Sequence, residues 1–272
     1  MLEVTGTFTT SDDLELFTRT WSGDGEPTRG MLIVHGLAEH SGRWGHVARF
    51  FTDRGYAVSG FDLRGHGQSG GTKGHVASFA DFVDDVHGIV ESGLVRTDLP
   101  WVLYGHSLGG FISTYYLSEN RPQPDAAVVS APALSADVPG ALRVAAQVLG
   151  RVAPKVALPN PIDGDQLSRD DAVGEAYFAD PLVYPKATTR LALESFNAQD
   201  RIGALIDSIA TPTLVIHGGD DTLVPPSASA PLASVDGVER KVYPGLRHEM
   251  HNEPEQGQVL AEVAAWLDST LA

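Results

Sequence analysis

The chain has 272 residues, 42% hydrophobic and 20% charged, which fits a large globular domain and excludes a disordered one. Its 19 basic and 35 acidic residues give a formal charge of −16. That sign repels phosphate backbones and anionic lipid, so neither nucleic acid nor electrostatic docking on anionic lipid is expected. Cysteine is absent, which removes a disulfide framework, a thiolate zinc site and a cysteine nucleophile. No leader-like or membrane-spanning apolar run is visible, and a cytoplasmic location is the resulting expectation.

Taken in chain order, residues 4–10 and 14–21 alternate in polarity around Ser11-Asp12-Asp13 and predict a hairpin. Short apolar runs follow at 31–36, 56–62, 101–106, 126–132 and 213–218, the pattern of strands buried on both faces. The more polar 238–244 predicts an edge strand. Helical patterns lie between them at 43–54, 79–95, 108–120, about 198–209, 227–235 and 255–270. Ser78 and Asp81 form a capping-box pair ahead of the second of these. The alternation predicts an α/β protein with a mostly parallel eight-stranded sheet flanked by helices. Residues 135–197 interrupt it. They hold an apolar helical stretch at 141–152, then Pro154, Pro159 and Pro161, then polar residues. So long a segment is not a structureless loop. The expected organisation is a core of 1–134 and 198–272 with a helical cap at 135–197.

Gly105-His106-Ser107-Leu108-Gly109 fits G-x-S-x-G between an apolar strand and a helical run, the setting of a nucleophile elbow. A serine hydroxyl needs a base, and the base a carboxylate to orient it. In the chain order Ser, Asp, His, the loop after 213–218 offers Asp221, with Asp220 as rival. The loop after 238–244 offers His248, with His251 as competitor; His217 is expected to bond locally. His248-Glu249-Met250-His251 lacks the H-E-x-x-H spacing of a zinc helix, so no metal and no cofactor are called for. The backbone N–H groups of Leu108 and of Leu37, beside Gly36, are the candidate oxyanion donors.

These residues resemble the serine α/β-hydrolases, and within them the bacterial monoacylglycerol lipases, a group that also contains lysophospholipase-like and serine aminopeptidase-like hydrolases. The resemblance covers HGLAEHSGRW (35–44), FDLRGHGQSGG (61–71), GHVASFADFVDDV (74–86), GHSLGG (105–110), SAPAL (130–134), HGGDDTLVP (217–225) and YPGLRHEMHNEP (243–254). It implies that Glu39, Arg43 and His251 shape the polar end of the pocket, where glycerol is received. It also implies a cap whose outer side makes transient contact with membranes or micelles. The mammalian members carry cysteines near the site; this chain has none, so thiol sensitivity is not implied.

The expected activity is hydrolysis of monoacylglycerols to fatty acid and glycerol through an acyl-enzyme. The alternative is a broad-specificity carboxylesterase acting on other small or xenobiotic esters, and behind it a non-catalytic ligand-binding protein on the same fold. Dehalogenases and epoxide hydrolases of this architecture use a nucleophilic carboxylate, which Ser107 excludes.

Overall fold

Runs of consecutive apolar residues offer no polar face to water, so such strands are stable only between two layers of helix. The computed structural model describes residues 1–136, 138–160 and 162–272; Pro161, one of the three prolines of the expected turn region, lies outside them. The elements are β1 (Leu2–Thr9), β2 (Glu15–Ser22), β3 (Arg29–Val34), α1 (Gly45–Thr52), β4 (Tyr56–Phe61), α2 (Phe79–Glu91), β5 (Trp101–His106), α3 (Leu108–Leu117) and β6 (Ala126–Ser130). They continue with α4 (Gly140–Val152), β7 (Ala157–Pro159), α5 (Gly164–Leu167), α6 (Asp171–Ala179), β8 (Lys186–Thr188), α7 (Thr189–Ile202), β9 (Thr213–Gly218), β10 (Val238–Tyr243) and α8 (Gln256–Thr270).

Eight strands form one sheet in the order β1-β2-β4-β3-β5-β6-β9-β10. The β1–β2 and β2–β4 pairs are antiparallel and the rest parallel. Successive residues of β3 feed opposite cores. Leu32 and Val34 pack with Phe79, Phe82 and Phe111 of α2 and α3. Met31 and Ile33 pack with Phe51, Val263 and Leu267 of α1 and α8. The parallel register puts the carboxyl ends of β3, β5 and β9, and the loops that follow them, on one edge of the sheet, where ligand-facing residues collect in open α/β folds.

Between β6 and α7 the chain leaves the sheet. α4, α5 and α6 lie there with a separate antiparallel ribbon of β7 and β8. The helix expected at about 198–209 begins at Thr189 instead, because the Thr188 hydroxyl accepts the Leu191 N–H at 3.2 Å and caps it there. Leu191, Leu193, Ala198 and Ile202 form its buried face, and the polar run 194–201 conceals that stripe from a simple reading of the sequence. The helix therefore crosses position 197. Residues 227–235 were expected to form an ordinary helix and instead form 3₁₀ turns over Pro226–Ser234; Pro231 within them has no N–H to donate.

Candidate active site

The turn from β5 into α3 places Ser107 at φ +54°, ψ −116°. This conformation disfavours any residue with a Cβ. Three backbone bonds hold it: the Ser107 N–H donates to Ser130 O (2.9 Å), and Ser107 O accepts from Phe111 (2.9 Å) and Ala133 (3.2 Å). The turn also needs bare backbone nearby. A Cβ on Gly109 would lie 2.1 Å from the Val34 carbonyl oxygen, so only glycine lets α3 start this close to β3.

Ser107 Oγ lies 2.9 Å from His248 Nε2, and His248 Nδ1 lies 2.6 Å from Asp221 Oδ2. Asp221 Oδ1 accepts the N–H groups of Leu223 and Val224, each at 2.9 Å. Burial acts against charge on both His248 and Asp221, but their mutual attraction outweighs it. The Asp221 carboxyl is held well below the usual carboxylate range, and the His248 imidazole is raised above its ordinary value. The rival Asp220 is exposed, and among the described residues no hydrogen bond or ion pair joins it to His248. His217 bonds Ser229 Oγ and Val224 O, both at 2.8 Å, and its Nε2 lies 3.3 Å from Asp221 Oδ2, so it braces the carboxylate. Among the described residues the N–H groups of Leu37 and Leu108 have no acceptor. Leu108 opens α3, where the helix dipole adds positive potential.

A cavity of about 320 Å³ opens onto Ser107 and His248. Apolar side chains from the segment between β6 and the end of α7, including Val138, Ile162, Leu191 and Phe196, line much of it. Its polar end is a charged cluster. Glu39 Oε1 accepts the Gly36 N–H at 2.5 Å, and a Cβ on Gly36 would lie 2.9 Å from that oxygen and 3.1 Å from Ser107 Cβ. Glu39 thus sits beside the serine. Its other oxygen accepts from Arg43 Nη1 (3.1 Å) and Trp44 Nε1 (3.2 Å). Arg43 makes a bidentate pair with Glu249, both bonds 2.7 Å, and its guanidinium lies 5.1 Å from the Tyr177 ring centroid. Burial, then the neighbouring Glu249 charge, pushes the Glu39 carboxyl up despite Arg43. Glu249 is buried too, but the charge and bonds of Arg43 hold it low. Tyr177 of α6 lines the same end; its hydroxyl is buried and has no partner among the described residues.

The structure does not bring all three expected head-group residues to the cavity. Glu39 lines it; Arg43 stands behind, joining Glu39 to Glu249. His251 is a correction. The 3₁₀ turn Met250–Asn252 carries its ring beneath Trp44, stacked at 4.1 Å, and edge-on to His106 at 4.8 Å. It is 1% exposed, and neither nitrogen has a partner among the described residues. Desolvation keeps it neutral, so it acts as a floor under the site. Glu249 and Tyr177 were not singled out from the sequence. Glu249 had one signal, its position next to His248; Tyr177 had none.

The loop bearing His248 is tied to the segment above it. Glu249 N–H donates to Leu167 O at 2.8 Å, and Arg247 Nη1 to Ser168 O at 3.0 Å. The buried Glu253 carboxylate accepts from the N–H groups of Arg247 (2.6 Å) and Arg169 (3.1 Å).

A parallel sheet with a strained serine at the β5–α3 turn, in line with a histidine and an aspartate, defines an α/β-hydrolase. Residues 25–255 match the family described as serine aminopeptidase, S33, and the chain belongs to that family. The chain is 38% identical over 260 residues to a monoacylglycerol lipase of Mycolicibacterium smegmatis, covering 92% of each sequence. It is 30% identical to a phospholipase of Bacillus subtilis, covering 92% of this chain and 98% of that one. Among solved structures, the monoacylglycerol lipase of Paleococcus ferrophilus superposes with a TM-score of 0.85 at 30% identity, covering 94% of this chain and 99% of that one.

Proposed function

We propose that the protein hydrolyses monoacylglycerols, with Ser107, His248 and Asp221 as the catalytic triad. Ser107 Oγ attacks the ester carbonyl as its proton passes to His248 Nε2. Asp221 keeps the proton of Nδ1 in place and stabilises the imidazolium. The Leu37 and Leu108 N–H groups receive the oxyanion. His248 then protonates the departing alcohol, and water releases the acid from the acyl-serine by the reverse relay.

The observation that carries the substrate reading is the cavity's division. An apolar wall supplied by residues 135–197, read here as a cap over the core, suits one acyl chain. Beside Ser107 the polar end offers Glu39, Glu249 and the unpartnered Tyr177 hydroxyl to a neutral diol. One guanidinium shared between two carboxylates leaves no free positive charge for a phosphate head group, which favours glycerol over a phospholipid. The outer side of α4, where Leu142, Val144, Val148 and Val152 are exposed, faces the lipid aggregate from which such a substrate comes.

The test compares Tyr177→Phe and Glu39→Gln on a monoacylglycerol and on the methyl ester of the same acyl chain. Losing a head-group bond lowers kcat/KM for the glycerol ester by about 1–3 kcal/mol, roughly 5- to 150-fold, and leaves the methyl ester near wild type. Equal losses on both esters, or none, leave a broad carboxylesterase as the better description.

A further inference from the structure

A catalytic base is held in place by whatever satisfies the backbone that carries it. Toward the sheet, the loop after β10 makes its last backbone bond at Leu246, whose carbonyl accepts the Asp220 N–H at 2.9 Å. The next three N–H groups go elsewhere. Arg247 donates to Glu253 Oε1 at 2.6 Å, His248 to Gln166 O at 3.3 Å and Glu249 to Leu167 O at 2.8 Å. The backbone on both sides of His248 therefore hangs from Glu253 and from residues 166–167, which belong to the segment inserted between β6 and α7.

Glu253 bonds to both sides of that junction. While Oε1 takes the Arg247 N–H, Oε2 takes the backbone N–H and the Nε–H of Arg169, each at 3.1 Å. Ser168 Oγ stands 3.4 Å from Oε2 and donates to Asn252 O at 3.0 Å. The Glu253 side chain is 0% exposed and is not among the residues that line the cavity. Bonds to a buried carboxylate are charge-assisted and stronger than those to a neutral acceptor. Leu167, in the same inserted segment, does line the cavity. One short piece of chain thus walls the cavity and supports the base.

We infer that Glu253 is a positioning residue for the catalytic base: by clamping the loop 247–249 to residues 166–169, it keeps His248 in line between Ser107 and Asp221. The inference rests on the reading of those three residues as a hydrolytic triad. The imidazole must meet Ser107 Oγ at 2.9 Å and Asp221 Oδ2 at 2.6 Å together, and a misplacement of about 1 Å costs roughly 10²-fold in rate. Without the Glu253 carboxylate, the backbone bonds to Gln166 and Leu167 and the Arg247 side-chain bond to Ser168 O are what tie the loop to the inserted segment.

The experiment uses the full chain and a soluble short-chain p-nitrophenyl ester, with rates corrected for the folded fraction from urea unfolding. Glu253→Gln keeps the side-chain volume but loses the charge and one acceptor. It lowers kcat roughly 10- to 100-fold and leaves KM within about twofold. The acid limb of its pH profile moves down toward about 6.5, because a displaced His248 loses the Asp221 pairing that raises it. Ser168→Ala loosens the same junction from the inserted side and gives a smaller loss of kcat with a shift in the same direction; it carries the test if Glu253→Gln does not fold. Glu255→Gln is the control: that carboxylate bonds Arg169 at the surface but not Arg247, and its loss leaves kcat unchanged. A Glu253→Gln kcat within about twofold of wild type overturns the inference. So does a loss that follows the unfolded fraction with an unmoved acid limb, or a Ser168→Ala enzyme altered in neither respect. The His248 Nδ1–H resonance in proton NMR reads the base without turnover. If Glu253→Gln shifts it while no ester is hydrolysed, the assignment of the reaction alone fails; if esters are hydrolysed and neither the resonance nor the acid limb moves, the positioning role alone fails.

Discussion

Replacing Ser107 with glycine should stabilise the protein while abolishing ester hydrolysis. At φ +54° and ψ −116° the Ser107 backbone lies where a Cβ is penalised, at a typical cost of about 1–3 kcal/mol. Glycine adopts that conformation freely, but its unfolded chain is more flexible, which returns about 0.4–1 kcal/mol. The reference is Ser107→Ala, which also loses the 2.9 Å contact with His248 but keeps the Cβ. Relative to alanine, glycine should gain about 1 kcal/mol, or about 3 °C in Tm for a domain of this size. Equilibrium urea unfolding of both variants measures the difference, and a p-nitrophenyl ester assay confirms that both are inactive. A glycine variant less stable than the alanine variant would show that the turn carries no strain and that its bonds to Ser130, Phe111 and Ala133 set the conformation at no cost.

Three further outcomes follow from the same geometry. The acid limb of kcat/KM should have an apparent pKa above 6.5, because the base must be neutral and Asp221 raises His248; activity therefore falls as pH drops through that raised value, and a limb below 6.5 measured by a pH series counts against the pairing. Asp221→Asn should cost roughly 10⁴ in kcat and Asp220→Asn little, since only the former meets His248; steady-state kinetics showing the reverse moves the carboxylate role to position 220. Glu249→Gln should destabilise the fold by about 1.5–3 kcal/mol in urea unfolding, because the charge-assisted bonds to Arg43 are lost while Glu39 still balances its charge; a cost under about 0.5 kcal/mol would mean that water replaces the pair.

What could be read from the chain, and what could not, divides along one physical line. The core strands were visible because burial on both faces enforces apolar runs; Ser107 and Asp221 each follow such a strand and His248 follows the polar edge strand β10, all in loops of distinctive composition. Features that depend on contacts between distant segments left no local trace. Helix α7 was placed late because its buried stripe of Leu191, Leu193, Ala198 and Ile202 is threaded through polar residues, among them the buried Glu194. Tyr177 lines the cavity from α6, and the residues just before that helix, Ser168 and Arg169, bond to Asn252 and Glu253, a contact between distant segments. His251 was assigned to the leaving-group side on the family resemblance, but the 3₁₀ turn Met250–Asn252 carries its ring under Trp44, and where such a turn begins leaves no mark in the residues themselves.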